Sequence, residues 1–381
     1  MNHRYNLEVS DVLKNCQEEL AQRYKFHSVQ YKALEDITSC RTSQRGGHKH
    51  ICFNCGYHKV SYNSCRNRHC PKCQFLKQIQ WVDKLKSRML PCRYFHVVFT
   101  IPQQLNKLFY LNQTACYNLL FKASWEALKT AGKNPLYLGA KLGAISVLHT
   151  WGQTLTYHPH VHILVPAGGL SEDNVEWITT RKNFLLPVKV LSALFRGIMY
   201  KGLLALLEKE DITVPGDFPD KNALKKQLYR KSWNVYAKKT FGAAEGVLQY
   251  LGRYTHRVGI SNNRMISLEA KTVRFGYKDY RGGNKKKIME LSDFEFSRRF
   301  LQHILPSGFY KIRYYGILAT ALIDTDRQEA MALICKSVVL SSLEGLTAYE
   351  IIRALFEKDP LKCPNCKQGF LRHIKEFVPL E

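Results

Sequence analysis

Two Cys-x-x-Cys pairs in the N-terminal quarter of the chain constrain its fold most strongly. Cys52-x2-Cys55 is followed after 14 residues by Cys70-x2-Cys73, which is the four-thiolate spacing of a structural zinc site. Each pair makes a tight turn that directs two sulfurs at one ion, and Gly56 suits the sharp bend after the first pair. The alternative is four buried thiols in a small core, but this segment has few aliphatic side chains to form one. The spacing therefore predicts a segment that folds around zinc.

More potential ligands are present than one zinc ion can use. In the same segment they are Cys40, His48, His50, Cys65 and His69. This segment could therefore bind a second ion, or bind one ion through a different set of four ligands. Cys363-x2-Cys366 near the C-terminus is a possible second zinc pair, which Cys335, His373 or a residue from another segment would have to complete.

Positive charge is concentrated in two stretches of the chain. The 57 Lys and Arg residues exceed the 31 Asp and Glu residues, giving a formal charge of +26. Residues 41–93 carry +11 of this excess and residues 220–287 carry +13. A positive charge spread over the whole chain would serve solubility, whereas two concentrated stretches indicate a polyanionic partner. Nucleic acid is the first candidate for that partner. Arg66 and Arg68 lie between cysteines and are expected to contact DNA phosphates, although a solvated basic loop would have the same composition.

The cysteines and the absence of long apolar runs predict the cellular compartment of the protein. No run of 18 apolar residues is present, and the N-terminus lacks the apolar core of a signal peptide. The 12 cysteines are clustered, which in a reducing compartment indicates metal ligands rather than disulfides. We therefore expect a cytoplasmic, nucleoid-associated protein with no membrane partner.

Hydrophobic periodicity predicts an α+β fold with an antiparallel sheet and helices packed to one side. The expected organisation is an N-terminal helical and zinc-binding module over 1–90, a sheet-containing domain over 91–291 and a mainly helical region over 292–381 that ends in the small cysteine pair. Strands are predicted at 94–100, 144–149 and 161–165, with the last two forming a hairpin, and short strands at 265–268, 272–277 and 287–291 should enlarge the same sheet. Helices are predicted at 1–39, 103–130, 188–207, 221–239 and 241–257.

Three histidines alternate along the third strand. Side chains alternate across a strand, so His158, His160 and His162 should face one way while Val161 and Ile163 face the core. Histidines two apart lie about 7 Å apart at the backbone, and their rings can converge on one divalent ion. An isolated histidine is more often structural, but here the apolar face is intact and the histidines lie together opposite it. The pattern therefore favours a metal site.

Two tyrosines are placed one turn apart on the helix predicted over 241–257. Tyr250 and Tyr254 should project from the same helical face, which Arg253 and Arg257 flank with positive charge. Aromatic pairs at this spacing are usually core, but a separate leucine stripe already supplies an apolar face. A tyrosine has a pKa near 10 and needs help as a nucleophile toward phosphate. A divalent ion on the histidines, Mg²⁺ or Mn²⁺, would give that help.

The motifs together resemble the bacterial two-tyrosine rolling-circle transposases of the IS91-like family. The resemblance runs in the family's order from about residue 25 to about residue 320. The segments that carry it are Cys-Arg-Thr (40–42), Ser-Cys-Arg-Asn-Arg-His-Cys-Pro-Lys-Cys-Gln (64–74), Phe-His-Val-Val-Phe-Thr-Ile-Pro (95–102), His-Pro-His-Val-His (158–162), Gly-Gly-Leu (168–170) and Tyr-Leu-Gly-Arg-Tyr-Thr-His-Arg-Val (250–258).

The resemblance implies a ferredoxin-like, palm-type HUH nuclease. Its histidine pair maps onto His160 and His162, and its two nucleophiles map onto Tyr250 and Tyr254. Such an enzyme nicks one strand at an element end, becomes joined to the 5′ phosphate and carries that single strand to a target. The motif does not fix the third metal ligand, for which the candidates are Gln249, Glu245 and His158.

Two other functions fit parts of the pattern. A replication initiator or a relaxase would use the same chemistry, although the zinc module and the block at 64–74 argue against both. A zinc-dependent DNA-binding regulator would lack catalysis altogether.

Overall fold

The computed structural model describes residues 7–181, 183–209, 212–239, 252, 259–280, 282–322, 325–334 and 341–378. These residues fall into two compact units, each made of segments that are distant in sequence. The described part of the first unit is 7–84, 259–280, 282–304 and 341–378, and that of the second is 85–181, 183–209, 212–239, 252, 305–322 and 325–334. The units thus differ from the three consecutive domains that the sequence predicts.

The described helices are α1 (Val9–Asn15), α2 (Gln17–Arg23), α3 (Ser28–Thr38), α4 (Gln74–Arg88), α5 (Asn106–Leu111), α6 (Gln113–Lys133), α7 (Val188–Glu208), α8 (Lys221–Tyr229), α9 (Asp293–Leu301), α10 (Asp326–Ile334) and α11 (Ala348–Phe356). The described strands are β1 (Gly47–Cys52), β2 (His58–Tyr62), β3 (Tyr94–Thr100), β4 (Gly143–Trp151), β5 (Tyr157–Pro166), β6 (Gly168–Leu170), β7 (Trp177–Thr179), β8 (Val235–Lys239), β9 (Met265–Glu269), β10 (Thr272–Asp279), β11 (Lys285–Ser292), β12 (Ile312–Gly316) and β13 (Leu371–Phe377). Their pairings are antiparallel, which confirms the expected α+β class.

The second unit is built on a five-stranded sheet in the order β12-β4-β5-β3-β8. The predicted strands β3, β4 and β5 are confirmed, and β4 and β5 form the expected hairpin, with His149 paired to His160. Alternation gives this sheet one apolar face, because Val97, Val161 and Ile163 belong to a single core cluster. The histidines of β5 therefore lie on the opposite face, as predicted.

Helices α6 and α7 cover the apolar face of this sheet. Phe195 on α7 packs edge-on against Phe99 of β3 and Trp233, with ring centroids 5.0 and 5.2 Å apart. By length and composition alone α7 could cross a membrane. Its residues Leu191, Met199 and Leu203 are buried in the same core.

Two sequence predictions for the second unit are wrong at the sheet edges. The helix predicted over 221–239 ends at Tyr229, and Val235–Lys239 is instead the edge strand β8 paired with β3. Asp220 starts α8 by accepting hydrogen bonds from the backbone N–H groups of Asn222 and Ala223. The region expected to be mainly helical contains β12, which forms the other edge on β4. Both are short strands that pair with residues far away in sequence, so local periodicity could not identify them.

The first unit has two separate three-stranded sheets, in the orders β13-β1-β2 and β11-β10-β9. Strands β9 to β11 occur where they were predicted, but they do not enlarge the histidine-bearing sheet. They pack instead on α9, where the buried rings of Phe275 and Phe296 lie 5.6 Å apart. Strands β2 and β13 are mostly exposed, so little apolar burial holds their sheet together. The helices α1 to α3 confirm the helical prediction for the N-terminal segment.

Candidate metal centres and nuclease site

Eight of the 12 cysteines form two clusters of four, both within the first unit. The first cysteine cluster contains Cys40, Cys65, Cys70 and Cys73, and the second contains Cys52, Cys55, Cys363 and Cys366; in each, all four sulfurs lie within 4.8 Å of one another. The structure therefore corrects the expected grouping of Cys52 and Cys55 with Cys70 and Cys73. The reason is the hairpin of β1 and β2, which carries the pair at its turn away from the other cysteines.

The first cysteine cluster draws its ligands from three turns. Sγ of Cys73 lies 3.4 Å from that of Cys40 and 3.6 Å from that of Cys65. The pKa of the Cys73 thiol lies below its ordinary value because the thiols of Cys40, Cys65 and Cys70 donate hydrogen bonds to it. Four sulfurs this close together are a donor set that zinc would hold as thiolates.

The second cysteine cluster joins segments about 300 residues apart. Sγ of Cys52 lies 3.8 Å from that of Cys366, and Sγ of Cys55 lies 3.6 Å from that of Cys363. Burial raises the pKa of Cys52 to about 11, whereas the backbone N–H of Gly369 lowers the pKa of Cys366 to about 5 by donating to its sulfur. The sharp bend expected after Cys55 is confirmed, since Gly56 has φ +71°.

A Cβ atom could not be accommodated at the turn that closes the second cysteine cluster. At Gly369 it would lie 2.6 Å from Sγ of Cys52. This close approach of backbone to sulfur fits a compact four-thiolate zinc site.

The remaining predicted zinc ligands lie outside both clusters. His69 is buried and its Nδ1 lies 3.2 Å from Oδ1 of Asn67. His48 and His373 form a separate surface group with Glu376 on β1 and β13. His50 is the cross-strand neighbour of His373, and its ring centroid lies 5.6 Å from that of His373. Cys335 lies outside the described residues.

Three imidazoles converge on the face of the five-stranded sheet opposite its apolar core. The ring nitrogens of His149, His160 and His162 lie within 4.8 Å of one another, and Nε2 of His160 lies 3.0 Å from Nε2 of His162. His149 was missed by the sequence analysis, although its register opposite His160 places it there. His158, a predicted alternative ligand, is exposed and lies outside this group of three.

Neighbouring groups orient two of these rings. Nδ1 of His160 lies 2.6 Å from the carbonyl oxygen of His158, so this nitrogen carries the proton and the lone pair that could bind a metal is on Nε2. Nδ1 of His162 lies 2.8 Å from Nε2 of His96 on β3. Burial lowers the pKa of His160 to about 3 and that of His96 to about 4. Both are therefore neutral, the form in which imidazole binds metals.

The predicted nucleophiles, two of the predicted metal ligands and two of the predicted phosphate-binding arginines lie outside the described residues. They are Glu245, Gln249, Tyr250, Arg253, Tyr254 and Arg257. Of the other two predicted phosphate-binding residues, Arg66 is exposed and lines a cleft of the first unit. Arg68 is partly buried, and this burial lowers its pKa.

The sheet with its three imidazoles, the first cysteine cluster and the Cys52 and Cys55 half of the second lie in segments that match transposase families. Residues 143–325, which include the histidine strands, match the family described as "Putative transposase". Residues 12–101, which include the first cysteine cluster, match the family described as "Transposase zinc-binding domain", of the IS91 type. These matches define a transposase with a zinc-binding domain, and together with the cysteine clusters they support structural zinc.

Whole-chain similarity places the protein more narrowly. It is 41% identical over 382 residues to "Putative transposase y4qJ" of Sinorhizobium fredii (strain NBRC 101917 / NGR234), covering 97% of this chain and 95% of the relative. It is 28% identical over 363 residues to "Transposase for insertion sequence element IS801" of Pseudomonas savastanoi pv. phaseolicola, covering 92% and 85%. The chain belongs to the IS91-like family of transposases, which confirms the resemblance found in its motifs. No solved structure is detectably similar to it.

Proposed function

We propose that this transposase is a metal-dependent nickase and strand transferase for single-stranded DNA. In this proposal the five-stranded sheet is the palm of an HUH nuclease. Tyr250 and Tyr254 are the nucleophiles of its rolling-circle reaction. The observation that carries the proposal is the convergence of His149, His160 and His162 opposite the core of that sheet. Burial lowers the pKa of His160 and of His162, which keeps these two rings neutral, and one nitrogen from each of the three rings lies where a single divalent ion could be bound. A protein with this function would be expected in the compartment that contains the DNA of the cell.

The three-imidazole set also favours one type of ion. Mg²⁺ prefers oxygen ligands and retains water, whereas imidazole suits softer divalent ions. We therefore expect Mn²⁺ to bind this site more tightly than Mg²⁺. When bound, the ion would polarise the scissile phosphate and neutralise charge that develops in the transition state. His96 would orient the ring of His162 through the contact between Nε2 of His96 and Nδ1 of His162.

The proposed reaction conserves the energy of the broken bond. The tyrosine oxygen attacks phosphorus and loses its proton, the bond from phosphorus to the 3′ oxygen breaks, and that oxygen leaves as a DNA hydroxyl after taking up a proton. The products are a 5′ phosphotyrosine and a free 3′ end. The second tyrosine performs the same step on the target strand. Nucleotide hydrolysis is unnecessary, which agrees with the absence of a GxxxxGK[ST] motif from the sequence.

Covalent trapping tests this function directly. Purified protein is incubated with Mn²⁺ and labelled single-stranded oligonucleotides that carry the ends of the encoding element, and adducts are resolved on denaturing gels. The wild-type chain should form the adduct, and Tyr250→Phe combined with Tyr254→Phe should abolish it. Tyr310→Phe is the matched control, since Tyr310 is 81% exposed and lies in the second unit.

Metal binding provides a second readout. His160→Ala with His162→Ala should lose both the adduct and the Mn²⁺ bound in titration calorimetry, whereas the double tyrosine variant should keep its Mn²⁺. An adduct that survives in the double tyrosine variant would disprove the assigned nucleophiles. Binding of DNA with no adduct from any end would instead favour a regulator without catalysis.

A further inference from the structure

The first unit contains a polar cleft of about 1460 Å³ beside the first cysteine cluster. Its basic lining residues are Lys14, Arg41, Arg45 and Arg66. The remaining wall is mostly hydroxyl and amide groups of residues such as Asn63 and Ser64, with two carboxylates, Glu35 and Glu376, the latter 3.5 Å from Nδ1 of His48. The ring of Tyr62 lies at the surface of the cleft and is 44% exposed. Such a lining suits a chain of phosphates better than an apolar ligand.

Two of these arginines are held by the turns of the first cysteine cluster. Arg41 follows Cys40 and Arg66 follows Cys65, and both have left-handed backbones with φ values of 59° and 54°. The backbone N–H of Arg41 donates to the carbonyl oxygen of Asn63 at 3.0 Å. The backbone N–H of Arg66 donates to the sulfur of Cys73. These two bonds fix both backbones before any ligand arrives, which lowers the entropic cost of binding.

The cations of the cleft differ in their availability. Arg45 is committed to the carboxylate of Asp36, with Nη2 2.5 Å from Oδ1. Among the residues that the structure describes, the guanidinium groups of Arg41 and Arg66 and the ammonium group of Lys14 form no ion pair with a carboxylate. Three unpaired cations therefore line one cleft.

We propose that this cleft binds the phosphate backbone of a single-stranded DNA segment through Arg41, Arg66 and Lys14, with Tyr62 stacking on a base. The inference rests on the proposed function, which supplies the DNA substrate, and adds a strand-binding site in the other unit. A concave basic groove with an exposed aromatic ring is the combination that binds single strands without reading sequence. The cysteine turns position two of the phosphate contacts.

A purely structural role for the arginines makes a different prediction. Four zinc-bound thiolates leave a net negative charge, and nearby arginines could serve only to offset it. In that case Arg41→Gln combined with Arg66→Gln would weaken zinc retention and leave DNA affinity per folded, zinc-loaded molecule unchanged.

The test is fluorescence anisotropy of the full-length protein with a labelled mixed-sequence 20-nucleotide single strand, over a salt series. Arg41→Gln with Arg66→Gln should reduce affinity by on the order of tenfold and reduce the slope of log K against log salt by about 1.4, since each phosphate contact contributes about 0.7 on single strands. Arg41→Lys with Arg66→Lys should restore most of the slope, because the charges are kept. Zinc content is measured for every variant.

The matched control is Lys25→Gln with Lys358→Gln, which removes two exposed charges of the same unit outside the cleft. The inference is overturned if the arginine and control variants give the same slope, or if the loss appears only on duplex DNA of the same sequence. The adduct assay on the same proteins separates the two proposals. An adduct that depends on the tyrosines, with strand binding unaffected by the arginines, removes the cleft and leaves the nickase.

Discussion

Replacing Cys363 and Cys366 by serine should detach the C-terminal strand from the first unit. These residues supply half of the second cysteine cluster, and the strand that follows them, β13, pairs with β1 through six residue pairs from Cys52↔Leu371 to Gly47↔Phe377. We expect the variant to lose one of two zinc equivalents and to expose the backbone amides of β13 to solvent.

The magnitude follows from how little β13 buries. Ordering its seven residues costs about 7–14 kcal/mol at 1–2 kcal/mol per residue. Burial of Leu371, which is 4% exposed, returns about 2 kcal/mol. Six pairs at about one hydrogen bond each return about 3–9 kcal/mol. The strand is thus close to balance without metal, and four-thiolate binding, worth about 10–16 kcal/mol in small zinc modules, decides whether it is ordered.

The assay combines metal analysis with hydrogen exchange. Wild-type protein should contain two zinc ions per chain and the Cys363→Ser, Cys366→Ser variant should contain one, while peptides covering 371–377 lose their protection. Cys92→Ser is the control, since Cys92 lies outside both clusters. Two zinc ions in the double variant, or unchanged protection of β13, would refute the reasoning.

Three further predictions concern the stability of the two units. Phe195→Ala should cost about 3–5 kcal/mol of unfolding free energy by leaving a cavity between Phe99 and Trp233; a loss below about 1 kcal/mol in calorimetry would contradict that packing. Tyr157→Phe should cost about 1–2 kcal/mol in urea unfolding, because its hydroxyl lies 2.6 Å from that of the buried Tyr117; an unchanged midpoint would speak against this bond. Arg298 and Arg299 lower the pKa of Glu295 to about 2, so its carboxylate stabilises the fold above the ordinary value of 4.5 and this contribution is lost as pH falls toward 2. Glu295→Gln should therefore cost about 1 kcal/mol at pH 7, after allowance for solvent screening, and less as the pH approaches 2; an equal cost at both ends of that range would show that the ion pair is not responsible.

Features that depend on neighbouring residues could be predicted from the sequence. Alternation along β5 placed His160 and His162 opposite the core, because side-chain direction in a strand has a period of two. The same reasoning found β3, β4 and the core helix α7. It failed at β8 and β12, where short strands are defined by partners far along the chain.

The sequence by itself therefore determined the ligand types, the family motifs and which face of β5 bears histidine. Only the tertiary structure decided which ligands meet. It divided the two Cys-x-x-Cys pairs of residues 52–73 between two clusters, recruited Cys363 and Cys366 from the opposite end of the chain and added His149 from the paired strand. The physical reason is that spacing along a chain fixes the geometry of one turn, whereas a site built from several turns depends on strand register and hairpin direction, which packing and pairing of the whole unit select.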